Sequence, residues 1–393
     1  MLARYHSKVN GEHIMKKKQL LHTPEGVRDL YGKEYASKLL LQDKVMNSIQ
    51  LYGYENIQTP TFEFFDVFSE EIGTTSSREL YKFFDKDGNT LVLRPDFTPS
   101  MARCAAKYFM EQNVPIRFCY SGNTFINNNN LQGKLKELTQ MGAELIGDDS
   151  VYADAEMIMM VIDTLRAAGL TRFQVSIGEV EYFKGICKYA GIDSETEMEI
   201  RDFISEKNFF AAEELMIEKG ISETDREAIL QVREFYQVEE TLSKAKELAS
   251  NEMSRKAIAR LEALYALLKE YGVEEYVSFD LGMLSKFHYY TGVIFKAYTY
   301  GVGDAIVNGG RYDNLLEKFG KEAPAIGFMV LIDGLMEALY RQGIECEIDN
   351  NKQIIYYDES NYSQKLKNAI ELRKNGVSVS MMSCDFEGAK KEN

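Results

Sequence analysis

Between residues 183 and 271 the chain reads almost wholly as charged helix, and strand-like runs stand on both sides of that stretch. A helical block bounded by strands is an insertion into a strand-rich domain, so the sheet must be assembled from segments far apart in sequence. Upstream, residues 33–52 place Leu39, Leu40, Val45 and Ile49 at helical spacing, and Gly53 stops the helix. YENIQTPTFEF follows as an extended edge segment, because Pro60 lacks the amide a central strand needs. FFDKDGNTLVLRP is a hairpin signature around Asp87 and Gly88. A helix is then expected with Thr98 as N-cap and Pro99 at its first position.

Strands are expected at IRFCYSGNTFI and LTQMGAELIG, joined by a polar Asn-rich loop, then a helix over 153–168 and a strand over 173–178. Beyond the helical block, strands are expected at 277–281, 289–298 and 305–308, with a helix after Gly327. From Lys352 the order is strand, helix, strand. This pattern predicts an α+β fold: a mainly antiparallel sheet flanked by helices, with a helical insertion and a short C-terminal α/β piece. The expected division is a core of residues 19–182 and 272–345, an insertion at 183–271, an α/β tail at 346–393, and a disordered extension at 1–18.

Charge narrows the function classes. The net charge is −15, and the lysines alternate with Glu and Asp as on solvated helix faces. No basic patch marks a nucleic-acid surface. The most apolar run, 323–335, is broken by Asp333 and falls short of the roughly 18 residues of a membrane span. The N-terminal residues have no apolar h-region, arguing against a signal peptide. Five cysteines without a C-x-x-C pair, and histidines only at 6, 13, 22 and 288, argue against a zinc site. A cytoplasmic location with reduced thiols is the expectation.

Six stretches, in order, carry a more specific signal: TPEGVRDL (23–30), TPTFE (59–63), LVLRPDFT (91–98), QMGAELIG (140–147), HYYTGVIF (288–295) and NGGRYDNLLEKFG…PAIGF (308–328). Together they resemble histidyl-tRNA synthetase, a class II aminoacyl-tRNA synthetase, over about residues 20–340. The residues can also be read directly. Arg94 and Asp96 lie between a strand end and a helix start, where side chains reach a cleft. Gln140 and Glu144 share a strand face with Gly142, which leaves space between them. Asp96 and Glu144, with Gln140 and Thr98, suit an α-ammonium group, which needs acceptors and negative charge. Tyr289 and Tyr290 offer a phenol and a ring face for an imidazole. Gly309 and Gly310 permit close backbone approach to a ligand.

The same residues have plainer readings. The polar set can be a structural network, the tyrosines strand packing, and Arg311 a buried salt-bridge anchor or a ligand contact. The resemblance implies that Asp96, Thr98, Gln140, Glu144, Tyr289 and Tyr290 form an amino-acid pocket, with Asp96 one methylene shorter than the family's Glu. Three arginine positions of that family are changed. Ile126 stands where an Arg grips the ATP α-phosphate, Ser285 where a second cation belongs, and Gly334 at the third-motif Arg. Adenylation depends on positioned cations, and losing one such donor costs about 10²–10³ in rate.

A kept amino-acid pocket with a lost nucleotide grip looks like the regulatory subunits of ATP phosphoribosyltransferase, a synthetase paralogue found with a short catalytic subunit. That resemblance implies a non-catalytic role in the first step of histidine biosynthesis, with histidine as feedback effector. It further implies a homodimer, formed through about residues 35–65, within a hetero-oligomer with the short-form catalytic subunit. No catalytic residue, cofactor, metal, tRNA or membrane enters this picture. An active histidyl-tRNA synthetase and a free-standing pseudo-synthetase amino-acid sensor are the alternatives.

Overall fold

The computed structural model describes residues 21–69, 75–112, 114–128, 134–234, 238–249, 251–284, 289–345 and 352–385. The extension at 1–18 and the Ser285 position lie outside the described residues. The chain divides after Glu345 into two compact units.

Helix α1 (Gly32–Gln50) buries Leu41, Val45 and Ile49 completely, a seam at i, i+4, i+8. Leu39, expected on that seam, points outward at 44% exposure because Leu41 sets the register. Strands β1 (Glu55–Asn56) and β2 (Phe62–Phe64) flank Pro60. Next come β3 (Lys82–Phe84) and β4 (Thr90–Leu93), the expected hairpin. In its turn the Asp85 carboxylate accepts from the backbone of Asp87 and Asn89, and Gly88 supplies φ +85°. These strands form a small antiparallel sheet ordered β2-β4-β3.

Helix α2 (Thr98–Tyr108) starts with Thr98 already inside it. Phe97 occupies the cap position and offers no side-chain acceptor, so the expectation for Thr98 is corrected; Asp96 before it accepts from the first amides instead. Its hydroxyl is committed elsewhere, as the site makes clear.

The main sheet has eight strands ordered β1-β5-β6-β11-β10-β9-β7-β8. Its members beyond β1 are β5 (Ile116–Phe125), β6 (Glu137–Ile146), β7 (Phe173–Glu179), β8 (Val277–Phe279), β9 (Val293–Thr299), β10 (Val307–Arg311) and β11 (Ala325–Leu331). Only the outermost pairs, β1–β5 and β7–β8, are parallel. A parallel pair needs a crossover, and the helical block is the crossover between β7 and β8. It runs through α4 (Val180–Tyr189), α5 (Ser194–Ser205), α6 (Phe209–Glu218), α7 (Glu223–Leu230), α8 (Val238–Leu248) and α9 (Glu252–Glu270), after α3 (Val151–Ala167).

One sheet face carries the larger core. Met157, Val161 and Leu165 of α3 and Ile258, Leu261 and Leu264 of α9 join a single apolar cluster with Val277, Phe279 and Phe295 of the sheet. Helix α10 (Ile332–Arg341) seals it with Ile332 and Leu335. A second cluster collects Phe97, Met101, Tyr120, Tyr290 and Tyr312. The second compact unit is β12 (Lys352–Tyr357), α11 (Tyr362–Lys374) and β13 (Ser378–Ser383), with the two strands parallel. No helix of the described residues is long and apolar enough to cross a membrane.

Candidate functional site

On β6 the period of two turns Gln140, Gly142 and Glu144 to one face, as the sequence implies. That face borders a cavity of about 160 Å³ lined by Asp96, Thr98, Gln140, Glu144, Tyr289 and Tyr290, all six of the expected residues. The space that Gly142 was expected to leave between Gln140 and Glu144 is taken up by protein atoms, and Gly142 is not part of the cavity lining. A Cβ on Gly142 would overlap the Phe328 carbonyl and stand 2.6 Å from the Tyr120 hydroxyl. Across the β6–β11 ladder Glu144 faces Gly327, where any Cβ would overlap the Glu144 carboxylate itself.

Glu144 is 1% exposed. Its Oε1 accepts from the Thr98 hydroxyl at 3.1 Å, and its Oε2 accepts from the Tyr312 hydroxyl. Asp96 Oδ1 accepts from the backbone amides of Phe97 (2.7 Å) and Thr98 (3.4 Å) at the start of α2. Burial pushes the Glu144 carboxyl up to about 8, with the Asp96 charge adding to it against the two hydroxyl donors. Burial likewise lifts Asp96 to about 6, opposed by its two backbone bonds. The Gln140 Oε1 and the Tyr120 hydroxyl are buried with no hydrogen-bond partner. Acceptors and carboxylates therefore converge on one space, and no Lys, Arg or His stands among its described lining residues.

The two tyrosines reach this space by a route the sequence hides. Strand β9 starts at Val293, so residues 289–292 are not part of the strand expected at 289–298. Alternation in a strand would send the two rings to opposite faces; instead they lie 4.6 Å apart and line the same cavity. The glycine pair of β10 serves protein rings. A Cβ on Gly309 would overlap Phe295, and one on Gly310 would sit 2.7 Å from the Tyr290 ring.

Two cations expected near a cleft are used structurally. Arg94 donates to the carbonyls of Asn123 (2.8 Å) and Thr59 (3.0 Å) and stacks on Phe97. Arg311 points to the other sheet face and donates to Asp154 Oδ1 at 2.6 Å, so it is a salt-bridge anchor. Of the changed arginine positions, Ile126 lines the cavity. Gly334 lies in the first turn of α10, outside that lining, and a Cβ there would meet only Ile306 and Leu331 at ordinary contact distance. Sequence reasoning missed Tyr312 and Gly327. Tyr312 carried a signal, since it stands two residues beyond Gly310; Gly327 depends on a pairing no local pattern reveals.

The family model described as histidyl-tRNA synthetase matches residues 26–335. The chain is 40% identical over 372 residues to the ATP phosphoribosyltransferase regulatory subunit of Acetivibrio thermocellus, covering 94% of this chain and 89% of that protein. The chain belongs to the ATP phosphoribosyltransferase regulatory subunit family. A second member, from Thermoanaerobacter pseudethanolicus, is 37% identical over 371 residues, covering 94% and 96%. The solved structure of an ATP phosphoribosyltransferase regulatory subunit/histidyl-tRNA synthetase from Bacillus halodurans superposes with a TM-score of 0.84 at 33% identity, covering 93% of each chain. A Nostoc histidyl-tRNA synthetase aligns with a TM-score of 0.77, covering 92% and 86%, but at 20% identity it speaks for the fold alone. The regulatory subunit family thus builds on the class II synthetase-like α+β fold, as the sequence motifs imply.

Proposed function

We propose that the cavity between β6, β10 and β11 holds L-histidine as effector. Through it the chain regulates a short-form ATP phosphoribosyltransferase catalytic subunit in the first step of histidine biosynthesis. One observation carries this reading: Asp96 and Glu144 face a common cavity whose described lining contains no cation. An α-ammonium group there meets two carboxylates and the unpartnered Gln140 Oε1. Hydrogen bonds to charged groups contribute about 1.5–3 kcal/mol each. Tyr289 and Tyr290 then flank the imidazole.

The same lining repels a triphosphate. Ile126 in the cavity and Gly334 outside it leave the phosphates without the arginines that adenylation requires. Ser285 adds a third change in sequence. The chain accordingly has no aminoacylation activity of its own and acts without tRNA or cofactor. The family name supports the catalytic partner. Homodimerisation through residues 35–65 is supported by the outward Tyr35, Leu39, Phe62 and Phe64, at 47%, 44%, 51% and 57% exposure. We assign the complex to the cytoplasm, and the chain to a core of residues 19–182 and 272–345, an insertion at 183–271 and an α/β tail at 346–393.

Co-expression with a short-form catalytic subunit tests the reading. Phosphoribosyl transfer should require this chain and be inhibited by histidine, while the chain alone gives no histidine-dependent ATP–pyrophosphate exchange. Exchange by the chain alone would mean an active synthetase. Transfer that ignores the chain would leave the amino-acid sensor as the better reading.

A further inference from the structure

A second cavity lies in the helical block and shares no lining residue with the effector site. It forms where α4 turns into α5. Lys184 and Lys188 are one turn apart on α4, and Glu197 and Arg201 one turn apart on α5, so each pair presents one face. Those faces bound a space of about 510 Å³.

Its charge is unbalanced. Arg201 is 3% exposed, and its Nε (3.0 Å) and Nη2 both donate to a single oxygen, Glu197 Oε1. Nη1 is left without a protein acceptor among the described residues. The ammonium groups of Lys184 and Lys188 have no carboxylate within ion-pair distance among the described residues. Among the side chains lining the cavity three cations therefore stand with one carboxylate, Glu181 and Glu179 lying nearby outside the lining. Burial, and then the neighbouring Arg201 charge, hold the Lys184 ammonium below the ordinary lysine range, against the pull of Glu197, Glu181 and Glu179. A solvated helix face accounts for the exposed Lys188. It does not account for a nearly buried arginine with a spare N–H edge beside a half-buried lysine that has no carboxylate in ion-pair contact among the described residues. Holding like charges together out of water is costly unless an anion joins them.

The remaining wall has a different chemistry. Ile192, Met198 and Met253 give an apolar, polarisable surface, and Met sulfur packs well on aromatic rings. Ser194, the first residue of the 12-residue helix α5, adds a hydroxyl to the wall, the free amides of that helix end being taken by the Asp193 carboxylate. We propose that this cavity binds a small phosphorylated ligand of the nucleotide class, its phosphate between Lys184, Lys188 and the open edge of Arg201 and its base against Ile192, Met198 and Met253. The site is independent of the effector reading, because no residue is common to both.

Equilibrium titration of the full chain with AMP, adenosine and inorganic phosphate tests it. AMP should bind at least about tenfold more tightly than adenosine or phosphate alone, since charge and apolar wall each contribute. The double variant Lys184→Gln, Lys188→Gln should weaken AMP by about tenfold or more, with Glu144→Gln leaving it unchanged. Arg201→Lys keeps the pairing charge but loses the planar fork, and should also weaken AMP; if that variant fails to fold, the lysine pair decides. The proposal is overturned by a chain that binds no AMP, by affinity indifferent to the lysine pair, by adenosine binding as tightly as AMP, or by loss of AMP in Glu144→Gln.

Discussion

Two carboxylates buried on opposite faces of the main sheet keep very different company. Asp154 of α3 is fully buried; its Oδ1 accepts from Arg311 at 2.6 Å and its Oδ2 from Arg260 Nε at 2.6 Å. Its charge is matched, and the pairing ties α3, α9 and β10 together. Glu144, equally buried, receives only hydroxyl donors, and its charged neighbour is another carboxylate, Asp96. Around one sheet, then, the paired charge holds the architecture, and the unpaired one is the acceptor we propose for the ligand's cation. The difference also explains why Glu144 is lifted to about 8: burial is not repaid by any positive partner.

The largest effect should come from the matched side. Asp154→Ala takes from Arg260 and the nearly buried Arg311 the carboxylate they share, leaving Arg311 only Asp313 and the Asp148 carbonyl on Nη1, and should cost about 3 kcal/mol in denaturant unfolding. Glu144→Gln should cost no stability at pH 8. A carboxyl raised in the folded state stabilises below its unfolded value near 4.3 and loses that contribution as pH rises through about 8. Equal losses in both variants would erase the contrast.

Histidine affinity should reverse the ranking. Glu144→Gln removes one charged acceptor and should weaken binding about 10- to 100-fold by calorimetry, by the same 1.5–3 kcal/mol that such bonds contribute. In the intact chain, binding of the ammonium group should ionise Glu144 and release a proton. Affinity should therefore rise with pH between about 6 and 8, by up to about tenfold per unit. Titrations in two buffers of different ionisation heat read that proton directly; zero release would mean that Glu144 is ionised before the ligand arrives. The smallest change is expected for Thr98→Val. It deletes one neutral donor worth about 1 kcal/mol, so affinity should fall about fivefold and the pH midpoint should move upward.

Much of this was legible in sequence wherever the signal was local. The hairpin at Gly88, the strands at 116–125 and 137–146, and the shared face of Gln140, Gly142 and Glu144 follow from turn chemistry and a period of two. What escaped depends on pairing between distant segments. Gly327 matters because it sits opposite Glu144 in the β6–β11 register, and Tyr312 because β10 brings it over the same carboxylate. Thr98 looks like a helix cap until its hydroxyl is seen to have a buried carboxylate to serve. Arg94 looks like a cleft residue until three backbone carbonyls claim it. Alternation would also have separated Tyr289 from Tyr290, had the strand begun where their composition suggests.

The central claim is that the cavity recognises a cation through Asp96 and Glu144 without help from a nucleotide. Calorimetric titration of the chain alone with L-histidine, with and without ATP, and with imidazolepropionate, which lacks the ammonium group, addresses it most directly. Histidine should bind with an affinity indifferent to ATP, and imidazolepropionate more weakly by about 100-fold or more, as expected when two charged contacts are lost. Equal affinity for the two ligands, or histidine binding that appears only when ATP is present, would contradict it.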